Sequence, residues 1–245
     1  MTVIHIDIIS DIVCAWCYIG KKTLEKAISL YQKTYPGGKN DIFKITWRPY
    51  YLDYHHQHNT SLVSDGSSSS VDKSEVAKVK LAHMSPERLE ALKQRMDRIG
   101  RSVGIIFKPG GKIGSTRAAH HLINLCQATQ TGNSVEVRDA LVTRLFEAYH
   151  ELEQDISSRT VLREIAVEAG MDAAQVDEFL DSFSSPEVLQ ESEVDREARQ
   201  NKEATNTGVP LFIVQDVHRV DGAQDLMEFV EIFGKIREEE GQAEA

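Results

Sequence analysis

Ile4, Ile6 and Ile8 alternate with His5 and Asp7, and this period of two predicts a strand. The chain then changes period. From Ala15 to Leu30 and on to Tyr31, the apolar residues Leu24, Ala27, Ile28 and Tyr31 fall at helical spacing, and Pro36-Gly37-Gly38 predicts the stop. Phe43, Ile45 and Trp47 alternate with Lys44, Thr46 and Arg48, which predicts a second strand. A strand, a helix and a strand in that order form a βαβ unit, whose two strands run parallel.

Residues 53–72 read as a surface loop, with Asp65-Gly66 and the serines Ser67 to Ser70 as turn and loop chemistry. From about Val71 to Glu203 the pattern is almost wholly helical. Ser85-Pro86-Glu87 and Ser185-Pro186-Glu187 each place a capping serine before a first-turn proline and an acid. Asn133 with Glu136, and Asp172 with Gln175, have capping-box spacing, while Gly100 and Gly170 are expected helix ends. Val103 to Phe107 fits a helix or a strand. Near the C-terminus, Leu211 to Val214 and Val217 to Val220 flank a turn at Gln215-Asp216, as in a hairpin. Leu226, Phe229, Val230 and Phe233 mark an amphipathic helix, and Arg237 to Ala245 reads as a frayed acidic tail. The order βαβ, helices, ββα predicts an α/β protein. Residues 1–70 and 204–245 would complete one sheet domain around an inserted all-α domain, residues 71–203.

The 245 residues are 41% apolar and 27% charged, which excludes a mostly disordered, collagen-like or disulfide-dense chain. A net charge of −10 argues against a nucleic-acid partner, whose phosphates need clustered Lys and Arg. No run of 18 or more apolar residues predicts a membrane span. The first residues lack the basic region of a signal peptide, and only Cys14, Cys17 and Cys126 carry thiols. Both features set the expectation of a reducing, cytoplasmic location.

Cys14-Ala15-Trp16-Cys17 follows the first strand directly and opens the first helix. In a βαβ context a CxxC reads as a redox pair. Cys14 would lie at the helix N-terminus, where free N–H groups and the helix dipole stabilise a thiolate. Such positions lower a thiol pKa from about 8.5 to roughly 3.5–7.5. Cys17 is almost one turn further on, on the same face. Cys14 is therefore the expected nucleophile and Cys17 the thiol that resolves a mixed disulfide at Cys14, from an accessible surface. Trp16 would shield part of the site. Two other readings stand beside this one. Both thiols could be core residues, or they could supply half of a zinc site completed by His55, His56 or His58.

With Gly208-Val209-Pro210 before the late strand, the sequence resembles the thioredoxin superfamily, and more closely the DsbA-like family and its FrnE-type cytoplasmic branch. The resemblance is carried by Ser10-Asp11-Ile12-Val13-Cys14-Ala15-Trp16-Cys17-Tyr18-Ile19-Gly20, Leu145-Phe146-Glu147-Ala148-Tyr149, Asp155-Ile156-Ser157, Gly208-Val209-Pro210 and Gly222-Ala223-Gln224. It implies a thioredoxin fold with a large all-α insertion and a cis peptide before Pro210. It also implies that the loop faces the CxxC and that the Val209 backbone pairs with the bound chain. Trp16, Val209 and Pro210 are the substrate-binding residues so implied, and Cys14 and Cys17 the catalytic ones. No metal and no tightly bound cofactor is expected. The partner is a disulfide-containing protein or small molecule, with glutathione as a candidate redox partner and a homodimer as a candidate assembly. The alternative is a glutathione-dependent transferase or isomerase of the kappa or 2-hydroxychromene-2-carboxylate isomerase type. Those enzymes carry serine where Cys14 stands, and the retained Cys17 argues against them. One departure is Ala15, where FrnE-type proteins usually have proline. The dipeptide between the cysteines helps set a potential that spans about −270 to −120 mV in related folds, so the direction of electron flow stays open.

Other residues carry weaker signals. Cys126 reads as a small buried hydrophobe. Lys21 and Lys22 read as a solvated helix face, and Asp11 as a loop cap. Arg117, His120 and His121 are candidates for a cleft lining, and the charge run from Glu187 to Glu203 for an exposed helix face.

Overall fold

A computed structural model of the chain describes residues 1–52, 70–128, 134–183, 192–205 and 208–243. The elements in chain order are β1 (Val3–Ser10), α1 (Ala15–Thr34), β2 (Ile42–Pro49), β3 (Val71–Asp72), α2 (Lys73–Lys80), α3 (Pro86–Val103), β4 (Lys112–Ile113), α4 (Arg117–Ala128), α5 (Ser134–His150), α6 (Arg159–Glu168), α7 (Ala173–Phe183), α8 (Glu193–Ala204), β5 (Leu211–Val214), β6 (His218–Asp221) and α9 (Leu226–Ala243). They fall into two compact units, Met1–Tyr50 with Gln200–Ala245, and Tyr51–Arg199.

The first unit is built on a four-stranded sheet in the order β2-β1-β5-β6. β1 pairs parallel with β2, from Val3 opposite Ile42 to Ser10 opposite Pro49, as a βαβ unit requires. β5 runs antiparallel to β1, and β5 and β6 form the hairpin. Gln215 and Asp216 turn it with φ of 51° and 57°, both left-handed, as the central pair of a β-turn that the Val217 N–H closes on the Val214 carbonyl at 3.2 Å. Glycine or asparagine usually fills such positions. Here the Gln215 side chain offsets the cost by extending the ladder, because its Oε1 accepts from the His5 N–H at 3.1 Å and its Nε2 donates to the Val3 carbonyl at 3.2 Å. Helices α1 and α9 pack together. Aromatic rings join them to the sheet: Tyr31 stands edge-on to Phe43 and Phe233, and Phe212 edge-on to Phe229.

Below this aromatic cluster lies Asp41, whose side chain is fully buried. It accepts from the Thr2 N–H at 2.9 Å, the Tyr31 hydroxyl at 2.8 Å and the Arg237 guanidinium. Burial pushes its carboxyl up, but Arg237, Thr2 and Tyr31 together hold it below its usual range. This tie explains why the C-terminal residues differ from the frayed tail that their composition predicts. Arg237 anchors α9, and the helix continues to Ala243.

The second unit is helical. Buried Leu122 and Ile123 of α4 are part of its core with Leu141, Leu145 and Phe146 of α5, as are Leu162 of α6 and Val176 and Leu180 of α7. A short ladder of β3 and β4 is the added strand pairing. Ser85 caps α3 by accepting from the Arg88 N–H at 3.4 Å, and Asp172 accepts from the Gln175 N–H at 2.9 Å, so two caps legible in the sequence form. Gly100 does not end its helix. It lies inside α3, where a Cβ would come within 2.7 Å of the Phe107 ring, and the stop is Gly104 at φ 91°. Gly100 is thus a packing glycine and Gly104 a conformational one. The capping sequences at Asn133 and Ser185, and most of the 53–72 loop, lie outside the described residues.

Candidate active site

The two cysteines occupy the start of α1. After Ser10 the chain bends, and the Cys14 N–H donates to the Asp11 carbonyl at 3.1 Å. Cys14 is the N-cap residue, extended at φ −85° and ψ 113°. Its carbonyl accepts from the Cys17 N–H at 3.0 Å and the Tyr18 N–H at 3.2 Å, closing the first turn. That turn carries no acidic side chain, so no carboxylate on α1 competes for its free N–H groups.

The environment separates the two thiols. Cys14 is 8% exposed and Cys17 is 1% exposed, so what solvent contact exists belongs to Cys14. This is narrower than the accessible dithiol that the sequence predicts, because the 208–210 loop comes up to Cys14: as a thiol it donates to the Val209 carbonyl at 3.6 Å. A hydrogen bond from the Cys17 thiol lowers the Cys14 pKa, against the opposing effect of burial, and the Cys17 and Trp16 backbone N–H groups add to the lowering. The nearby Asp11 charge opposes it. Burial drives the Cys17 thiol well above its ordinary value, and its bond to Cys14 adds to this. One sulfur is therefore poised to ionise and the other to stay protonated beside it. Iodoacetamide is expected to alkylate Cys14 with a midpoint pH below that of a free cysteine while Cys17 stays protected. Peptide mass mapping across a pH series checks this, and equal midpoints for the two residues would contradict it.

The loop facing Cys14 is fixed on both sides. The Val209–Pro210 peptide bond is cis, and the Pro210 carbonyl accepts from the Gly222 N–H at 2.8 Å. Gly20 of α1 lies against it, since a Cβ there would meet the Pro210 ring at 3.1 Å and the Phe212 ring at 3.0 Å. The absence of a side chain at Gly20 lets α1 approach the loop, and so brings Val209 to Cys14. Trp16 is 38% exposed, a large ring next in the chain to Ala15 that the fold leaves unburied.

The remaining candidates are placed as follows. Lys21 is buried, contrary to its reading as a solvated residue, and it pairs with Glu25 one turn along α1. Asp11 is fully buried. Cys126 is buried in α4, where burial pushes its thiol up. Within the second unit, Arg117 makes a two-toothed pair with Asp195 at 2.8 and 2.6 Å, and His121 lies 3.4 Å from the same carboxylate. Ser192 and Asp195 also form a reciprocal cap at the start of α8. Asp195 thus departs from the exposed face predicted for the charge run, because it satisfies a helix end and a guanidinium at once. His120 is buried with its ring 5.5 Å from that of Tyr51. The histidines His55, His56 and His58, weighed as zinc ligands, lie outside the described residues. No helix among the described residues is long and apolar enough to cross a membrane.

Comparison with known proteins agrees with this fold. A probable DsbA oxidoreductase from Streptomyces coelicolor superposes with a TM-score of 0.73 at 23% identity, over 96% of this chain and 91% of its own. A 2-hydroxychromene-2-carboxylate isomerase gives 0.59 at 14% identity, over 98% of each chain. The cytosolic disulfide reductase DsbM from Pseudomonas aeruginosa, solved with GSH, gives 0.51 at 17% identity, over 93% of this chain and 98% of its own. At these identities the likeness is one of fold. The model of the DSBA-like thioredoxin domain matches residues 5–234, and the chain therefore belongs to the DsbA-like thioredoxin-domain family.

Proposed function

We propose that the protein is a thiol–disulfide oxidoreductase of the FrnE type. In this reading Cys14 is the nucleophile, Cys17 the resolving thiol, and Trp16, Val209 and Pro210 the contacts for the bound partner. The observation that carries it is the geometry of the pair: Cys14 is the N-cap of α1 with its sulfur 3.6 Å from the Val209 carbonyl, and Cys17 lies almost one turn further on and 1% exposed. The Cys14 thiolate attacks a disulfide sulfur. A Cys14–partner bond forms, the partner's S–S bond breaks, and the departing thiolate takes a proton. Cys17 then gives up its proton and attacks Cys14, the mixed disulfide breaks, and the second partner sulfur leaves as a thiol. The partner has gained two electrons and the protein holds a Cys14–Cys17 disulfide. The Val209 carbonyl is close enough to the reacting sulfur to align an extended chain by backbone pairing.

Glutathione is the small thiol that would return the pair to the reduced state, a reading supported by DsbM having been solved with GSH. A reducing, cytoplasmic setting fits a chain with three cysteines, all free. The glutathione-dependent isomerase reading would leave Cys17 without a task. Cys17→Ser separates the readings. With glutathione disulfide or insulin it is expected to accumulate a one-to-one mixed disulfide at Cys14, seen by intact mass and released by dithiothreitol. A Cys17→Ser variant that turns over as the parent does, without an adduct, would exclude the resolving role.

A further inference from the structure

We propose that the Val209 carbonyl couples partner binding to the state of Cys14: it accepts from the Cys14 thiol in the free dithiol, and from a backbone N–H of the bound chain once that proton is gone. This deepens the function proposed above and rests on it. The Cys14 sulfur lies 3.6 Å from the carbonyl oxygen, within reach of an S–H donor. Val209 precedes β5, which begins at Leu211, so no neighbouring strand claims this carbonyl. The next one along, at Pro210, is taken by the Gly222 N–H at 2.8 Å. Among the described residues the donor to the Val209 carbonyl is the Cys14 thiol.

The same oxygen therefore meets a different neighbour in each state of the sulfur. The thiol attracts it. The thiolate repels it, because the negative end of the C=O dipole then faces a negative charge at 3.6 Å. In a mixed disulfide or a Cys14–Cys17 disulfide the sulfur carries no proton, and the oxygen has lost its donor. An extended partner chain supplies another by backbone pairing. A carbonyl has two lone pairs, so the incoming N–H weakens the thiol's hold even where both donors share the oxygen. In each case the bound chain favours the state in which Cys14 has given up its proton, and by linkage that state favours the bound chain. On ionisation the proton passes to solvent, and no bond between heavy atoms changes. The other titratable groups facing Cys14 are the Cys17 thiol on α1, which favours the ionised form, and the Asp11 carboxylate on the bend, which opposes it. The 208–210 loop brings no charge.

One net hydrogen bond changes an affinity by roughly 2–10-fold. The probe is S-carboxymethylated insulin B chain, which has no free thiol, and its binding is followed by isothermal titration calorimetry at pH values on both sides of the Cys14 midpoint. Cys14→Ala has no thiol proton, so at the acid end it should bind the probe tighter than the parent dithiol by that factor. The gap should close as Cys14 ionises. Comparing parent and variant at each pH removes the titration of the probe itself. By linkage, the probe should raise the ionised fraction of Cys14, read by the ultraviolet absorbance of the thiolate, by the same factor. A carbon-detected correlation of the Val209 carbonyl with the Pro210 nitrogen reads the contact directly. The carbonyl shift should follow the ionisation of Cys14 in the parent, stay constant with pH in Cys14→Ala, and move back when the probe is added. The proposal is overturned if parent and Cys14→Ala bind the probe equally at every pH, or if the probe leaves the ionised fraction of Cys14 unchanged. It is also overturned if no form binds the probe at millimolar concentration, which would remove Val209 as a partner contact. None of these readouts uses turnover, whereas the Cys17→Ser adduct does, so failure here and failure of the oxidoreductase reading are told apart.

Discussion

Cys14→Ser is expected to lower the rate of insulin disulfide reduction by roughly a thousandfold or more, equivalent to about 4 kcal/mol of lost transition-state stabilisation. The attacking species is a thiolate, and a serine hydroxyl neither ionises near neutral pH nor forms a bond to sulfur that a second thiol can break. No other described cysteine can take over. Cys17 is 1% exposed and held protonated by burial, and Cys126 is 4% exposed inside α4. The substitution is nearly isosteric, and Cys14 makes its helix contacts through its backbone N–H and carbonyl, which serine keeps. Thermal unfolding should therefore change little while turnover disappears. A Cys14→Ser protein with turnover within tenfold of the parent would mean that chemistry occurs elsewhere.

The second large effect concerns stability. Asp41→Ala is expected to destabilise the protein by about 3 kcal/mol, because removing one partner of a buried pair leaves the other charge uncompensated. Arg237 is itself one-quarter exposed, which keeps the figure at the lower end of the usual range. The loss has three parts: the guanidinium of α9, the Tyr31 hydroxyl of α1 and the Thr2 N–H before β1 all lose their acceptor. Urea unfolding followed by circular dichroism measures it, with the second readout a shorter α9. The pH dependence has a definite sign. A carboxyl held below its usual range in the folded protein contributes stability that is present above its unfolded pKa, about 3.9, and lost as the pH falls through the folded value. The parent should thus lose stability below about pH 4 more steeply than the variant. An Asp41→Ala protein as stable as the parent would show that the pair merely decorates the helix end.

The parts of this protein that the sequence makes plain are those set by neighbours within a few residues. Alternation gives β1 and β2, and the apolar stripe gives α9. A serine before a proline gives the start of α3, and a CxxC after a strand gives the N-cap thiol. What the sequence hides depends on residues far apart. Asp41 and Arg237 are separated by 196 positions, so nothing local distinguishes an anchored helix from a frayed tail. Gly100 looks like a helix end until Phe107 is seen folded over it. Lys21 looks solvated because its type usually is, yet a pair with Glu25 lets its stem lie buried. Asp195 sits in a run of charges, and only the return of α4 shows that it faces Arg117. In the CxxC, the place of Cys14 before the helix already marks it as the nucleophile, and what only the folded protein supplies is the burial of both sulfurs, 8% exposed at Cys14 and 1% at Cys17.

The most direct test is an equilibrium titration of the reduced protein against glutathione buffers of graded ratio, quenched with acid and read by mass after alkylation. A single two-electron transition is predicted, in which Cys14 and Cys17 lose their alkylation sites together with the mass of two hydrogens, while Cys126 remains a thiol. Glutathione adducts on Cys14 with no intramolecular disulfide at any ratio, or both residues remaining thiols throughout, would contradict a cycling dithiol.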